Sequence, residues 1–206
     1  PVAQMTVEQA RSQLQELVAV MHKISFQADR AGRVIKSVRD FVRRRDQSRE
    51  AVRPQELLDA VLPLVRMQAR KVAVEVELHV AEHLPPVWCD VTMVEQVLLN
   101  LTRNAMQAMD VPEIVQRRLV LAVEHAAGEP GGERLAFSVS DCGTGIPDAV
   151  EKQLFGTFFT TKPEGMGLGL SLCRTVVEQH GGQLQHAANH PRGTVFTFTL
   201  PIAAQA

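Results

Sequence analysis

The chain has 206 residues, 45% of them apolar and 22% charged, a composition of soluble globular proteins and a length that supports one or two domains with a core. Its net charge of −1 excludes a global field drawing it to nucleic acid or acidic lipid, and a sequence with no Tyr and one Trp offers no aromatic platform for stacking bases. No run approaches the ~20 apolar residues that cross a bilayer, no basic start followed by an apolar block marks a signal peptide, and Cys89, Cys142 and Cys173 form no Cys-x-x-Cys pair, so a reducing cytoplasm is the expected compartment.

The first ~45 residues read as one long helix. Apolar or small residues recur at Val7, Ala10, Leu14, Leu17, Met21, Ile24, Ala28, Ala31, Ile35, Val38 and Val42, in alternating steps of three and four. That is a heptad seam, and Val18, Val34 and Phe41 widen it toward a helical bundle. The outer face turns basic from Arg30 to Arg45, as a solvated face or a docking surface for an acidic partner. Residues 47–53 read as a linker between a helical segment (1–46) and an α/β domain (54–203). Pro54 opens a helix to about Ala69, and Pro63 inside it predicts a kink or a break. Alternation from Val72 to Val80 predicts a half-buried strand. A helix over about Val91–Met109 follows, then strands near Leu119–His125 and Arg134–Ser140. A short helix near Asp148–Phe155 leads into a Gly/Thr-rich loop over Gly156–Gly167. A helix over Leu168–His180 stops at Gly181-Gly182. Strands near Gln183–Ala188 and Thr194–Leu200 complete an α+β layer with helices on one face of a mostly antiparallel sheet.

Three segments carry candidate chemistry. Asn100 and Asn104 share one face of their helix, at the rim of an apolar stripe. Amide oxygens there suit Mg²⁺ if phosphates supply the remaining oxygens, although such amides also satisfy backbone groups in many proteins. Leu135, Phe137, Val139 and Asp141 share strand parity, so Asp141 ends a row of core-facing side chains. A carboxylate there needs donors, and an exocyclic amine such as that of adenine is one; a plain Asp-Gly turn is the alternative. Gly143 and Gly145 let the backbone turn tightly and approach a flat ring. Gly165, Gly167 and Gly169 open a helix whose free N–H groups suit phosphate oxygens. No strand precedes them and no Gly-Lys-Ser/Thr follows, so the segment is neither a Rossmann fingerprint nor a P-loop. Lys162 could add a positive charge or face solvent. Cys142 packs as a small residue or, if oxidised, blocks the site. His125, His180, His186 and His190 lack metal-ligand spacing and read as surface or turn residues.

In this order the segments resemble the Bergerat-type ATP-binding fold, a two-layer α/β sandwich, and within it the two-component sensor histidine kinases. The resemblance rests on Glu95–Met109, Asp141–Pro147, Leu154–Lys162, Gly165–Leu170 and the tail from His180-Gly-Gly182 to Gly193-Thr-Val-Phe196. It implies ATP and Mg²⁺ as cofactors, with Asn104 on Mg²⁺ and Asn100 assisting it or touching phosphate. It implies Asp141 as acceptor of the adenine amine, Gly143 and Gly145 shaping the base pocket, and Thr194 near adenine. Gly165, Gly167, Leu168 and Gly169 would cradle phosphates under a lid, and Lys162 would contact phosphate. The hydrolysing relatives carry Glu where Asn100 stands, so transfer to a protein group is expected rather than hydrolysis. Phe155-Gly156-Thr157-Phe158 departs from the usual Phe-Glu-Pro-Phe, which implies a looser lid.

Ile24–Arg43 resembles the second helix of the family's dimerisation and phosphotransfer hairpin. The resemblance implies a homodimer through a helical bundle and a response-regulator receiver domain as partner. The phosphoacceptor His is not found: His22 is followed by Lys23 and has no neighbouring carboxylate to orient it. The first helix is expected upstream, and the chain alone is expected to bind ATP without autophosphorylating normally. A Ser/Thr-directed kinase of the same superfamily and a non-catalytic ATP-binding or dimerisation module are the alternatives.

Overall fold

A computed structural model of the chain describes residues 49–126, 133–160 and 167–204, with isolated positions between 11 and 32. The chain divides into two compact units, Pro1–Asp46 and Gln47–Ala206. In the first, the described positions are helical, and Leu14, Leu17 and Met21 of the heptad seam are exposed. The rest of the seam, its basic face and His22 lie outside the described residues.

The second unit begins with strand β1 (Glu50–Val52), inside the stretch expected to be a linker. It pairs antiparallel with β3 (Val87–Cys89), placing Val52 opposite Val87, both buried. Neither strand is long enough for an alternating pattern to show. Between them, helix α1 (Pro54–Lys71) carries Pro at its first position. The break expected at Pro63 does not occur, and the helix runs unbroken. Proline removes only the bond to the Asp59 carbonyl, and both residues sit on the exposed side where water can serve that oxygen. Strand β2 (Glu75–Val80) follows α1 and starts three residues later than its alternation begins.

Helix α2 (Val91–Met109) is capped by Asp90, whose carboxylate accepts the Met93 N–H at 3.0 Å. Strands β4 (Arg118–His125) and β5 (Arg134–Asp141), the short helix α3 (Asp148–Glu151), helix α4 (Gly169–Gln179) and strands β6 (Leu184–Ala188) and β7 (Thr194–Pro201) complete the unit. The main sheet has the order β2-β4-β5-β7-β6, with β2–β4 parallel and the other pairs antiparallel. Leu119, Leu121 and Val123 of β4, Leu135, Phe137 and Val139 of β5, and Phe196, Phe198 and Leu200 of β7 face the core. Phe137 and Phe198 are register partners and stack with ring centroids 5.0 Å apart. Helix α2 lies between α1 and α4 and covers this face with Val94, Val97, Leu98, Leu101 and Ala105. The result is the two-layer α+β architecture expected from the sequence.

Helix α4 ends in a Schellman motif. Gly182 N–H reaches the Val177 carbonyl at 2.9 Å and Gly181 N–H the Glu178 carbonyl at 2.9 Å, with Gly181 at φ +74°. His180, read from sequence as a surface or turn residue, is the turn residue that ends α4 and is buried, at 1% exposure. Its Nδ1–H donates to the Val176 carbonyl at 2.7 Å, while Nε2 accepts the Asp90 N–H at 3.0 Å. It thereby joins the end of α4 to the start of α2. Burial holds its pKa below the ordinary 6.5, against the opposing Val176 hydrogen bond. His186 is also largely covered. It lies 3.3 Å from Glu151 and stacks edge-on with Phe155, with centroids 5.8 Å apart.

Candidate nucleotide site

Asp141 ends β5 on the core face and is 2% exposed. Its carboxylate Oδ1 accepts two backbone donors: Gly143 N–H at 2.8 Å and Thr194 N–H at 3.2 Å. A buried carboxylate requires such donors, and charge-assisted bonds to N–H groups are strong ones. The turn after Asp141 lies on the last turn of α2, where Thr144 N–H bonds the Ala108 carbonyl at 3.2 Å. A Cβ on Gly143 would stand 2.7 Å from the Ala108 backbone, so only glycine permits this seating. Gly193 closes the other side, where a Cβ would stand 2.0 Å from the Asp141 carbonyl oxygen. Gly145 is adjacent, and its would-be Cβ is 3.5 Å from the Gly193 oxygen. The structure thus brings Asp141, Gly143 and Gly145 of one segment together with Thr194 of the tail.

Asn100 and Asn104 are half-buried on α2, and Ala108 continues their i, i+4 row to the Asp141 turn. The Asn100 side chain neighbours the Cys173 thiol of α4 and partly opposes the rise that burial imposes on its pKa, and that sulfur lies 4.0 Å from the Val97 carbonyl. Helices α2 and α4 are antiparallel, since Asp90 meets His180 and Val97 meets Cys173. Extending that register one turn carries Asn104 to the start of α4, where Leu168 and Gly169 stand. Leu168 is buried, whereas no packed neighbour among the described residues comes within 4 Å of a Cβ placed on Gly169. The amide face of α2 therefore runs from the Asp141 turn toward the N-terminus of α4, an arrangement suited to an anion.

Gly167 sits at φ +66°, and a Cβ there would stand 2.3 Å from the Phe158 backbone. The Phe155–Phe158 segment and Gly167 are thus adjacent in space. Phe155 is held between His186 and the Arg174 guanidinium, 5.5 Å from the ring centroid, whereas Phe158 is exposed. Lys162 and Gly165 lie outside the described residues, as does most of the lid expected to be loose.

Among the described residues no cluster of three or more His, Cys, Asp or Glu could hold a metal by itself. The residues present fit Mg²⁺ in another way: the half-buried Asn104 and Asn100 amides are hard oxygen donors that would hold it alongside phosphates. Burial pushes the thiols of Cys173 and Cys89 up to about 12, so both are neutral and Asn100 has no thiolate beside it. Cys142 is half-buried, with its sulfur 3.0 Å from the Gln116 carbonyl and accepting the Arg118 N–H at 3.2 Å.

The sequence reading did not single out Asn189, whose side-chain Nδ2–H donates to the Asp141 carbonyl at 2.8 Å. It is an ordinary turn residue in sequence, and no pattern there signals the contact. Cys173 beside Asn100 carried no sequence signal either.

The family model for histidine kinase-, DNA gyrase B- and HSP90-like ATPases matches residues 89–204, which include the whole of this site. The chain is 38% identical over 195 residues to the C4-dicarboxylate transport sensor protein DctS of Rhodobacter capsulatus, covering 95% of this chain and 29% of that protein. It is similar to the catalytic domain of the histidine kinase ThkA (TM-score 0.64, 30% identity, 75% of this chain and 96% of that one). It also matches ThkA in complex with the response regulator protein TrrA (TM-score 0.69, 26% identity, 91% and 52%). Full-length ShkA in complex with AMPPNP matches with TM-score 0.69 and 26% identity, over 99% of this chain and 41% of that one. The chain spans about a third of the length of the curated relatives it matches. The chain belongs to the histidine kinase-, DNA gyrase B- and HSP90-like ATPases, and within them to the two-component sensor histidine kinases.

Proposed function

We infer that the chain is the ATP·Mg²⁺-binding catalytic portion of a protein-histidine kinase. It would pass the γ-phosphoryl group to an imidazole on a helical hairpin, and a response-regulator Asp would then take it. The observation that carries this reading is the buried Asp141 carboxylate, seated by Gly143 and Thr194 N–H groups at the end of the amide-bearing helix. A carboxylate so placed selects a ligand with an amine donor, which adenine presents at its exocyclic nitrogen. The AMPPNP complex of ShkA and the response-regulator complex of ThkA support the same assignments by similarity.

In this reading Asp141, Gly143, Gly145 and Thr194 hold the base. Gly167, Leu168 and Gly169 present the N-terminus of α4 to the phosphates, with Gly165 and Lys162 joining them. Asn104 would be the protein ligand of Mg²⁺, which when bound neutralises charge on the phosphates. Asn100 is an amide and accepts no proton at neutral pH, so the site positions a phosphoryl donor without activating water. Homodimerisation through the helical segment belongs to the same proposal, as does a domain division near residue 46.

Nucleotide titration of the chain with and without Mg²⁺ tests this reading. Tighter ATP binding with Mg²⁺, reduced in Asn104→Ala and in Asp141→Asn, is the expected result. Absence of ATP binding by the wild type would sink it. Transfer to a separately supplied hairpin carrying its His should yield an acid-labile phosphoprotein; an acid-stable product would point to Ser or Thr instead.

A further inference from the structure

We propose that Asn189 is a positioning residue for recognition of the nucleotide base, acting through Asp141. The inference rests on the ATP reading above. In the register of β5 with β7, Ser140 lies opposite Val195, so the next rung would set Asp141 against Thr194. At that rung the Thr194 N–H turns to the Asp141 carboxylate, at 3.2 Å from Oδ1. The Asp141 main-chain carbonyl is served instead by the Asn189 side chain, at 2.8 Å. One amide side chain thus stands in for a strand donor and leaves the strand donor to the carboxylate.

The turn between β6 and β7 is built to hold that amide in place. Asn189 N–H bonds the Gly193 carbonyl at 3.0 Å, closing the turn, and Gly193 packs directly on the Asp141 carbonyl oxygen. The amide can face the Asp141 carbonyl only with its nitrogen, because its oxygen would set acceptor against acceptor. Without Asn189, the Thr194 N–H is the donor that a regular antiparallel rung would bring to that carbonyl. Its return to the carbonyl would take a hydrogen bond from Oδ1 and turn the carboxylate away from its ligand-reading orientation. Asn189 therefore sets how the site reads an exocyclic amine, without itself touching the base.

The discriminating probe is inosine triphosphate, which carries a carbonyl oxygen where ATP carries the amine. Affinities for both nucleotides are measured on the wild-type chain, on Asn189→Ala and on the isosteric Asn189→Asp, which has no N–H to donate. Unfolding midpoints are recorded alongside. ATP affinity should fall roughly tenfold in both variants, the scale of one buried hydrogen bond, while inosine triphosphate affinity changes less than about twofold. In an Asp141→Asn background, Asn189→Ala should cause no further loss of ATP affinity. Equal weakening of both nucleotides would overturn the proposal, since it would mean that Asn189 only holds the turn. If Asn189→Ala fails to fold, Asn189→Asp alone decides on the same criterion; if neither folds, Asn189 is structural and the proposal is refuted. Unchanged ATP affinity in a wild-type background that binds ATP refutes this inference alone, whereas a wild type that binds no ATP refutes the functional reading with it.

Discussion

Glycine serves opposite purposes at the two ends of the site. At the Asp141 end, Gly143 and Gly193 are glycine because protein occupies the space a side chain would need, at 2.7 Å from Ala108 and 2.0 Å from the Asp141 oxygen. At the start of α4, no described residue comes within 4 Å of where a Gly169 Cβ would stand. Both ends read as Gly-rich motifs, yet the first is a solved packing problem and the second is not forced to be glycine by any described neighbour. A carboxylate that must be desolvated and still read one donor needs rigid neighbours. An anion with several oxygens needs access and a helix N-terminus.

That contrast can be broken at several points. The largest effect is expected at Gly193→Ala, which combines a φ of +113° with direct overlap. It should destabilise the fold by about 3 kcal/mol or more, read as a drop in the denaturant midpoint. A midpoint equal to wild type would show that the β6–β7 turn yields easily and that the Asp141 end is not rigid. Asp141→Asn comes next. Loss of the charged acceptor should weaken ATP by about 2 kcal/mol, roughly thirtyfold, with inosine triphosphate changing little. Gly169→Ala should act in the opposite sense on fold and ligand. Alanine is the better helix residue by about 0.5 kcal/mol, so stability should rise slightly while ATP affinity falls through the added Cβ. A variant that both stabilises the fold and leaves ATP affinity intact would remove the distinction drawn between the two glycines.

The smallest effect should lie away from the pocket, at His180. Burial lowers its folded pKa below the 6.5 of the unfolded chain, with Arg49 acting in the same direction and Asp90 opposing it. The folded chain therefore binds fewer protons, and the stabilisation is complete above pH 6.5 and lost as pH falls below it toward the folded pKa. Comparing urea midpoints at several pH values, His180→Gln should show a flatter acid limb than wild type. Identical pH dependence in the two would exclude His180 as a contributor.

Legibility followed periodicity. The α2 helix spans Val91–Met109, as its apolar stripe predicts, and the parity of Leu135, Phe137, Val139 and Asp141 placed the carboxylate at the end of a buried row. Strands β1 and β3 were not legible, because three residues cannot display an alternation and each becomes a strand only by finding the other. Of the kink or break expected at Pro63, the break does not occur, because its consequence depends on which side of the helix meets solvent. The turn at His180 was legible but its burial was not: its polarity suggests exposure, and only the approach of Asp90, distant in sequence, supplies the second hydrogen bond that makes burial tolerable.

By itself the sequence determined the order of elements, the helix that carries both asparagines and the chemistry each motif could offer. These are local properties, written in spacing, in backbone freedom at glycine and in the need of a core-facing carboxylate for donors. The tertiary structure decided who meets whom. It set α2 antiparallel to α4, so that the row from Asn100 to Ala108 bridges the Asp141 turn and a helix N-terminus. It also set the β6–β7 turn over Asp141, with Asn189 on its carbonyl and Thr194 on its carboxylate. Those contacts join residues some fifty positions apart, and a hydrogen bond depends on a few tenths of an ångström that only the packed core can fix.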